Sequence, residues 1–260
     1  VDSIYVTVTD LPTLTISGDL DLCFGESTTL TATGLEVGNS NYAWTATNND
    51  WTSNNGDSVI ATPTQTATFQ VVGTDNLGCI NSTTAQVIVY DLPTVTATGP
   101  STVCAGADAI FLGTPIAGTN QSSTWSYHNI TPTGTFNTQD TGTYTSTYIF
   151  TDENGCIDSA FHTICVLAVP AANFTLDNNE ICVNNTITAT NTSNTLNGCG
   201  NDTYKWKVIF NNSDCSSGSG AYSYSTGSDT SSQSVSIDFT QSGIYTIMLT
   251  ATNDCDTNSY

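Results

Sequence analysis

Cysteine is the residue type in this sequence with the clearest chemistry. The 260 residues contain nine cysteines but only two histidines, a balance that favours disulfide bonds over metal centres. We therefore expect an oxidising compartment, outside the cell or at its surface. The histidines, His128 and His162, lack the spacing of metal ligands, and the sequence has neither a GxSxG nucleophile motif nor a phosphate-binding glycine loop. These absences predict a protein that is not an enzyme.

Acidic side chains are the second group with possible chemistry. The sequence has 23 Asp and Glu against 2 Lys and Arg, a formal net charge of −21, which excludes nucleic acid and a polybasic membrane contact. No apolar stretch is long enough for membrane insertion. No cofactor is expected apart from possible calcium, which binds carboxylate oxygens. The weak candidate ligands lie near turns and module junctions, and they are Asp19, Asp21, Asp75, Asp91, Asp152 and Glu153. The alternative is that these acids are solvated turn residues that bind no metal.

An internal repeat organises these residues. The run TVTDLPTLTISG at 7–18 returns as IVYDLPTVTATG at 88–99 and, more loosely, as CVLAVPAANFTL at 165–176. Each copy continues with a cysteine, a tryptophan-containing strand and a turn that ends in a second cysteine. The repeat predicts three modules, at 13–93, 94–170 and 171–260, preceded by an orphan last strand at 1–12.

Each module contains about seven short alternating segments separated by turn residues, which is typical of a β-sandwich. The fold class is therefore predicted to be all-β, with tandem Ig-like or PKD-like sandwiches in a rod. The sequences Asp10-Leu11-Pro12 and Asp91-Leu92-Pro93 leave almost no flexible linker between modules, because proline fixes the local backbone.

The repeat also suggests how the cysteines pair. The two marker cysteines of each module are predicted to close one pole of their own sandwich, as Cys23–Cys79, Cys104–Cys156 and Cys182–Cys255. Cys199–Cys215 would close an insertion in the third module. Cys165 is left over, either as a buried thiol or as a partner of another molecule or a neighbouring module.

Several segments resemble the tandem Ig-like and PKD-like modules of Bacteroidota cell-surface and secreted proteins. They are Cys-Phe-Gly-Glu-Ser-Thr-Thr-Leu at 23–30, Tyr-Ala-Trp at 42–44 and Asp-Asn-Leu-Gly-Cys at 75–79. Phe239 followed by Gly243-Ile244-Tyr245 is similar to the PKD pattern, and Asp140-x-Gly142-x-Tyr144 looks like a tyrosine corner.

The resemblance implies a secreted adhesin, surface fibre or spacer. It also implies a glycoprotein, since Bacteroidota O-glycosylation falls on Ser or Thr between Asp and an apolar residue. Ser3, Ser58 and Ser159 fit that pattern.

The first and last segments of the sequence are complementary. Residues 1–9 align with 82–90 and 159–167, the final strand of a module, whereas the third module reaches Tyr260 before its own final strand. Either the sequence is an excerpt from a longer tandem array, or residues 1–10 add a strand to the third module of the next subunit. Ile4, Val6 and Val8 would then be the buried side chains of the donor strand, and the head-to-tail contact would propagate as a filament.

The predicted function is that of a structural extracellular repeat protein that forms or extends a surface fibre. Its expected partners are copies of itself or adjacent modules. The alternative is an adhesin that binds a glycan or a surface protein through loops such as 48–57 and 211–230, with Trp51 as the aromatic candidate.

Overall fold

The computed structural model describes residues 3–36, 41–48, 50–52, 56–127, 129–193, 202–211 and 221–260. Within these ranges all regular structure is β, in 23 strands, which confirms that the fold class is all-β. None of the described residues forms a helix that is long and apolar enough to cross a membrane. The chain divides into two compact units, one of Val1–Thr94, Ala117–Ser123 and Phe150–Asp158 and the other of Val95–Ile116, Thr124–Ile149 and Ser159–Tyr260.

The first repeat forms a sandwich of two four-stranded sheets. Its strands are β1 (Thr15–Ser17), β2 (Asp21–Cys23), β3 (Thr28–Thr33), β4 (Tyr42–Ala46), β5 (Trp51–Thr52), β6 (Ser58–Ala61), β7 (Ala67–Thr74) and β8 (Ile80–Tyr90). One sheet has the order β1-β3-β6-β5 and the other β2-β8-β7-β4. This is the A-B-E-D and G-F-C arrangement of an Ig-type sandwich, extended by the short strand β2.

Alternating residues build the core between the two sheets. Leu30 and Val59 from one sheet pack with Phe69, Val71 and Val87 from the other, and all five are almost completely buried. The residues between them along each strand include many Thr and Ser, because successive side chains of a strand point to opposite faces. β-Branched Thr and Val suit such half-buried pleated surfaces.

The second repeat has the same elements with one interruption. Its strands are β9 (Thr96–Thr98), β10 (Thr102–Cys104), β11 (Ala109–Ile110), β12 (Leu112–Thr114), β13 (Ser122–Ser126), β14 (Thr135–Phe136), β15 (Gly142–Thr151) and β16 (Ile157–Leu167). One sheet has the order β10-β16-β15-β13, and the other is split into the pairs β9-β12 and β11-β14. The split falls at Phe111, whose buried ring packs on Trp125 and Phe136.

The third repeat has a four-stranded first sheet and a three-stranded second sheet. Its strands are β17 (Phe174–Leu176), β18 (Asn185–Asn191), β19 (Thr203–Asn211), β20 (Tyr222–Tyr224), β21 (Ser234–Phe239), β22 (Ile244–Thr252) and β23 (Thr257–Ser259). The sheets have the orders β17-β18-β21-β20 and β19-β22-β23. Trp206, Ile237 and Leu249 lie in the core. β23 has three residues, whereas its counterparts β8 and β16 have eleven each.

The predicted tyrosine corner is present. The hydroxyl of Tyr144 donates to the backbone carbonyl of Asp140 at 3.0 Å, which ties the start of β15 to the preceding connection. The third repeat contains a second such corner that the sequence analysis missed, in which the Tyr245 hydroxyl donates to the carbonyl of Gln241 at 2.9 Å. The shared Gly-x-Tyr spacing is the signal that could have found it.

Candidate assembly interface

Among the residues that the structure describes, two disulfide bonds join cysteines of neighbouring repeats. Cys23 is bonded to Cys156 and Cys104 to Cys255, each with a Cα–Cα distance of 5.5 Å. Among the described cysteines, the ones that form no disulfide are Cys79 and Cys182. The predictions that these observations show to be wrong are the pairs Cys23–Cys79, Cys104–Cys156 and Cys182–Cys255.

The direction of a short parallel strand explains why the first two predicted pairs cannot form. β2 runs parallel to β8 and places Cys23 opposite Tyr90, the last residue of β8. Cys79 instead precedes Ile80, the first residue of β8. Eleven residues at about 3.4 Å each separate these ends by about 35 Å, so the two cysteines lie at opposite poles of one sandwich. β10 and β16 repeat this parallel pairing in the second repeat.

The remaining cysteines belong to the second and third repeats. Cys165 is buried and disulfide-bonded, so the first alternative for this residue, an unpaired thiol, is wrong. Cys199 and Cys215, for which a mutual bond was predicted, lie outside the described residues.

The turn that carries the second cysteine has the same geometry in the first two repeats. The Asp75 carboxylate accepts a hydrogen bond from the backbone N–H of Cys79 at 2.8 Å, and the Asp152 carboxylate accepts one from Cys156 at 2.8 Å. The glycine that precedes each cysteine has a φ of 85° or 86°, a left-handed conformation that glycine adopts without strain. The turn therefore holds the backbone of Cys79 in the same geometry as that of Cys156.

The turn that follows the first cysteine is common to all three repeats. The residue two positions after the cysteine has a positive φ in each, 91° at Gly25, 81° at Gly106 and 66° at Asn184. The cysteine carbonyl accepts a hydrogen bond from the backbone N–H of the residue three positions after it, at 3.0, 3.0 and 3.3 Å in the three repeats, respectively. Cys182 is thus presented by the same kind of turn as Cys23 and Cys104.

The third repeat has an open edge along β22. β23 pairs with Thr250–Thr252, and Leu249 exchanges two backbone hydrogen bonds with Tyr260. Over residues 244–248, β19 is the only strand of the described chain that pairs with β22. A groove of about 470 Å³ lies beside this edge, and its lining includes Ile181, Cys182, Ile187, Phe239, Tyr245 and Ile247.

The segment at residues 3–9 has the opposite character. It forms no strand, and Ile4, Val6 and Val8 are 92%, 82% and 89% exposed. The repeat aligns Val6 with Val87 and Ile164, which are both 0% exposed. Val8 aligns with Val89, which is half-buried, and Val166, which is buried; the counterparts of Ile4, Ala85 and His162, are half-buried.

The candidate calcium ligands are spread along the chain. No three or more His, Cys, Asp or Glu side chains of the described residues form a group that could hold a metal ion. The Asp19 carboxylate accepts from the Asp21 N–H at 3.3 Å, and Asp91 and Glu153 are exposed. The Tyr90 hydroxyl donates to Asp21 Oδ1 at 3.1 Å, a hydrogen bond that raises the pKa of the tyrosine. Calcium binding stays a prediction.

The glycosylation and ligand candidates differ in accessibility. Ser3 and Ser159 are exposed, whereas Ser58 is half-buried in β6 and its hydroxyl donates to the Asp57 carboxylate at 3.2 Å. Trp51, the candidate surface aromatic, is half-buried and packs against the first core. The loops at 48–57 and 211–230 lie partly outside the described residues.

Comparisons with known proteins leave the function to be argued from these residues. No protein-family model and no curated protein matches the chain. Solved structures similar to it include three N-terminal domains of the bacteriophage RB49 Hoc capsid protein (16% identity, TM-score 0.39, 96% of this chain and 94% of that chain). The human desmocollin-1 ectodomain is 10% identical with a TM-score of 0.32 over 96% of this chain, which spans 57% of that one. A marsupial T cell receptor is 11% identical with a TM-score of 0.33, over 95% and 98% of the two chains.

Proposed function

We propose that the chain is a structural subunit of an extracellular fibre that assembles head to tail by strand addition. Residues 3–9 of one copy pair with the edge of β22 beyond the short strand β23 in the third repeat of the preceding copy. The observation that carries this proposal is the edge of β22 that is unpaired over residues 244–248, beside a groove whose lining includes the apolar side chains of Ile181, Ile187 and Phe239. An exposed strand edge is a template for a further strand.

The alignment of the repeats fixes the register of the added strand. The core tryptophans give the correspondence, because Trp44 pairs with Val71 in β7 and Trp206 pairs with Leu249 in β22. Ala67, four residues before Val71, therefore corresponds to Tyr245, four residues before Leu249, and Ala67 is paired with Val87 in β8. Val6 is therefore expected opposite Tyr245, with its side chain in the position that Val87 and Ile164 occupy in the first two cores. Burying Val6 and Val8 would contribute about 1.5–3 kcal/mol each, in addition to the backbone hydrogen bonds of the new ladder.

An extracellular site of action is supported by the disulfide bonds. Cys23–Cys156 and Cys104–Cys255 are bonds of the kind that persist in oxidising compartments. The resemblance to Bacteroidota surface modules agrees with this location, and that origin and the PKD-like pattern of the third repeat stay predictions.

The test compares substitutions on the two faces of the donor segment. Val6→Asp with Val8→Asp would place two carboxylates against the groove and should weaken assembly at least 100-fold, or about 2.7 kcal/mol. Tyr5→Asp is the matched control, because its counterparts Gln86 and Thr163 are exposed. Sedimentation velocity from 1 to 100 μM, at low and high salt, measures the change. Salt should favour assembly by screening the repulsion between chains of net charge −21.

Two results would refute this function. One is a wild-type chain that stays monomeric over the whole concentration range at high salt. The other is a Val6→Asp, Val8→Asp variant that assembles as the wild type does. A synthetic peptide of residues 1–9 adds a direct measurement, since it should compete with assembly and raise the melting temperature of the third repeat.

A further inference from the structure

The two described cysteines without a disulfide, Cys79 and Cys182, occupy complementary places in the series of bonds. In Cys23–Cys156 and Cys104–Cys255, the first marker cysteine of a repeat is joined to the second marker cysteine of the repeat that follows. Cys79 is a second cysteine whose bonded counterpart would belong to a preceding repeat. Cys182 is a first cysteine whose counterpart would belong to a following one.

We propose that Cys182 of one copy forms a disulfide bond with Cys79 of the next copy, so that the fibre is covalently continuous. This inference rests on the proposed head-to-tail assembly and adds to it a bond between two specified sulfur atoms.

The geometry around Cys182 supports its half of the bond. It is exposed and lines the groove at the open edge of the third repeat. In the first two repeats the cysteine at this place lies opposite the last residue of the final strand, Tyr90 or Leu167. The residue that follows the cysteine also donates its N–H to that residue's carbonyl, at 2.8 Å in both repeats. The donor residue that corresponds to Tyr90 and Leu167 is Thr9.

The geometry around Cys79 supports the other half. The Thr9 hydroxyl already lies 3.9 Å from Cys79 Sγ. An equivalent contact accompanies an existing bond, because Cys255 Sγ lies 3.9 Å from the carbonyl oxygen of Leu167, the residue opposite Cys104. When residues 3–9 of one copy bind in the groove of the preceding copy, Thr9 comes to lie beside Cys182 of that copy. Cys79 then also lies close to Cys182, because it is next to Thr9 in its own copy.

The bond forms by oxidation of two thiols. Cys79 and Cys182 together lose two protons and two electrons, and a disulfide oxidant such as oxidised glutathione accepts them and is reduced to two glutathione molecules. The first step is attack of one thiolate on the glutathione disulfide, and the second cysteine then displaces glutathione from the mixed disulfide.

The experiment uses the whole chain with its native disulfides and oxidised glutathione as the oxidant. Non-reducing electrophoresis of the wild type should show a ladder of covalent oligomers, and peptide mapping after cleavage at Asp and Glu should recover Cys79 linked to Cys182. Cys79→Ser and Cys182→Ser should each remove the ladder when tested alone. A mixture of the two variants should give a covalent dimer and nothing longer, because one compatible pair of thiols remains.

Several outcomes would overturn the proposal. They are an unmixed variant that dimerises as fully as the mixture, a Cys79–Cys182 bond within one chain, and a wild type that assembles without forming the bond. The Cys79→Ser, Cys182→Ser double variant separates this failure from that of the proposed function. If the double variant assembles in sedimentation and the wild type forms no ladder, the disulfide is wrong and strand addition stands. If neither assembles, strand addition itself is wrong.

Discussion

Removal of the Cys23–Cys156 bond tests the connectivity on which the interface depends. The variant is Cys23→Ala with Cys156→Ala; alanine is chosen because Cys156 is 0% exposed and serine would bury an additional hydroxyl there. The bond spans 133 residues of sequence. On the chain-entropy model, losing a cross-link of this length costs about 5 kcal/mol, and native disulfides commonly contribute about 2–5 kcal/mol.

Guanidinium chloride denaturation at low protein concentration measures this cost. Trp44 in the first core reports unfolding through its fluorescence, since it is buried in the native state. The free energy of unfolding should fall by about 2–5 kcal/mol, which is between about one and four orders of magnitude in the equilibrium constant. The denaturant m-value should rise, because an unfolded chain without the cross-link exposes more surface.

Matched controls decide between the two pairing schemes. Cys79→Ala and Cys182→Ala remove thiols that form no disulfide and should each change the free energy of unfolding by less than about 0.5 kcal/mol. The reasoning is refuted if Cys79→Ala is as destabilising as Cys23→Ala, because that result would restore the pairing within one module.

Four further measurements examine the core, the acids and the topology of the bonds. Leu30→Ala should lower stability by about 2–5 kcal/mol, whereas Ile60→Ala, at a side chain that is 50% exposed, should cost far less in the same denaturation assay. Hydrogen bonds from two hydroxyls lower the pKa of Asp238 below its ordinary 3.8. The ionised carboxylate therefore stabilises the folded state above pH 3.8, and this contribution is lost as the pH falls through the lowered pKa. The melting temperatures of wild type and Asp238→Asn should accordingly differ at pH 7 and converge in acid. If calcium stabilises the fold, a chelator that removes it should lower the melting temperature. An unchanged midpoint would show that the calcium prediction is wrong. Cleavage before the exposed Asp91 should leave the chain at full mass on a non-reducing gel and release two fragments only after reduction.

The fold was predictable because its signals are local. Alternation of apolar residues and a turn every few residues specify strands, and the repeated markers show where one sandwich gives way to the next. The Trp of each repeat was placed correctly in a core strand, and Trp44, Trp125 and Trp206 are all buried. Tyr144 was likewise recognisable from its spacing to Asp140 alone.

The disulfide pairing was not predictable from the same signals, because it depends on the direction in which a short strand runs. Cys23 and Cys79 lie toward the two ends of one module in the sequence, and their spacing alone suggests that they pair. The parallel pairing of β2 with β8 places them at opposite ends of an eleven-residue strand, where no side chain can bridge the gap. Trp51 is half-buried and packs against the first core, and its role as a surface aromatic stays a prediction.

The overlap of Cys23–Cys156 with Cys104–Cys255 gives the chain a form of protection that bonds within modules would not. The loops closed by Cys23–Cys156 and Cys104–Cys255 share the residues between Cys104 and Cys156, so every peptide bond between Cys23 and Cys255 lies inside at least one loop. A single cut there cannot separate the two pieces, even in the connections between modules, which are the places that proteases reach most readily. Bonds within modules would have left those connections outside every loop. A bond from Cys182 to Cys79 of the next copy would carry the same continuity across each subunit junction, which is what a fibre exposed to extracellular proteases requires.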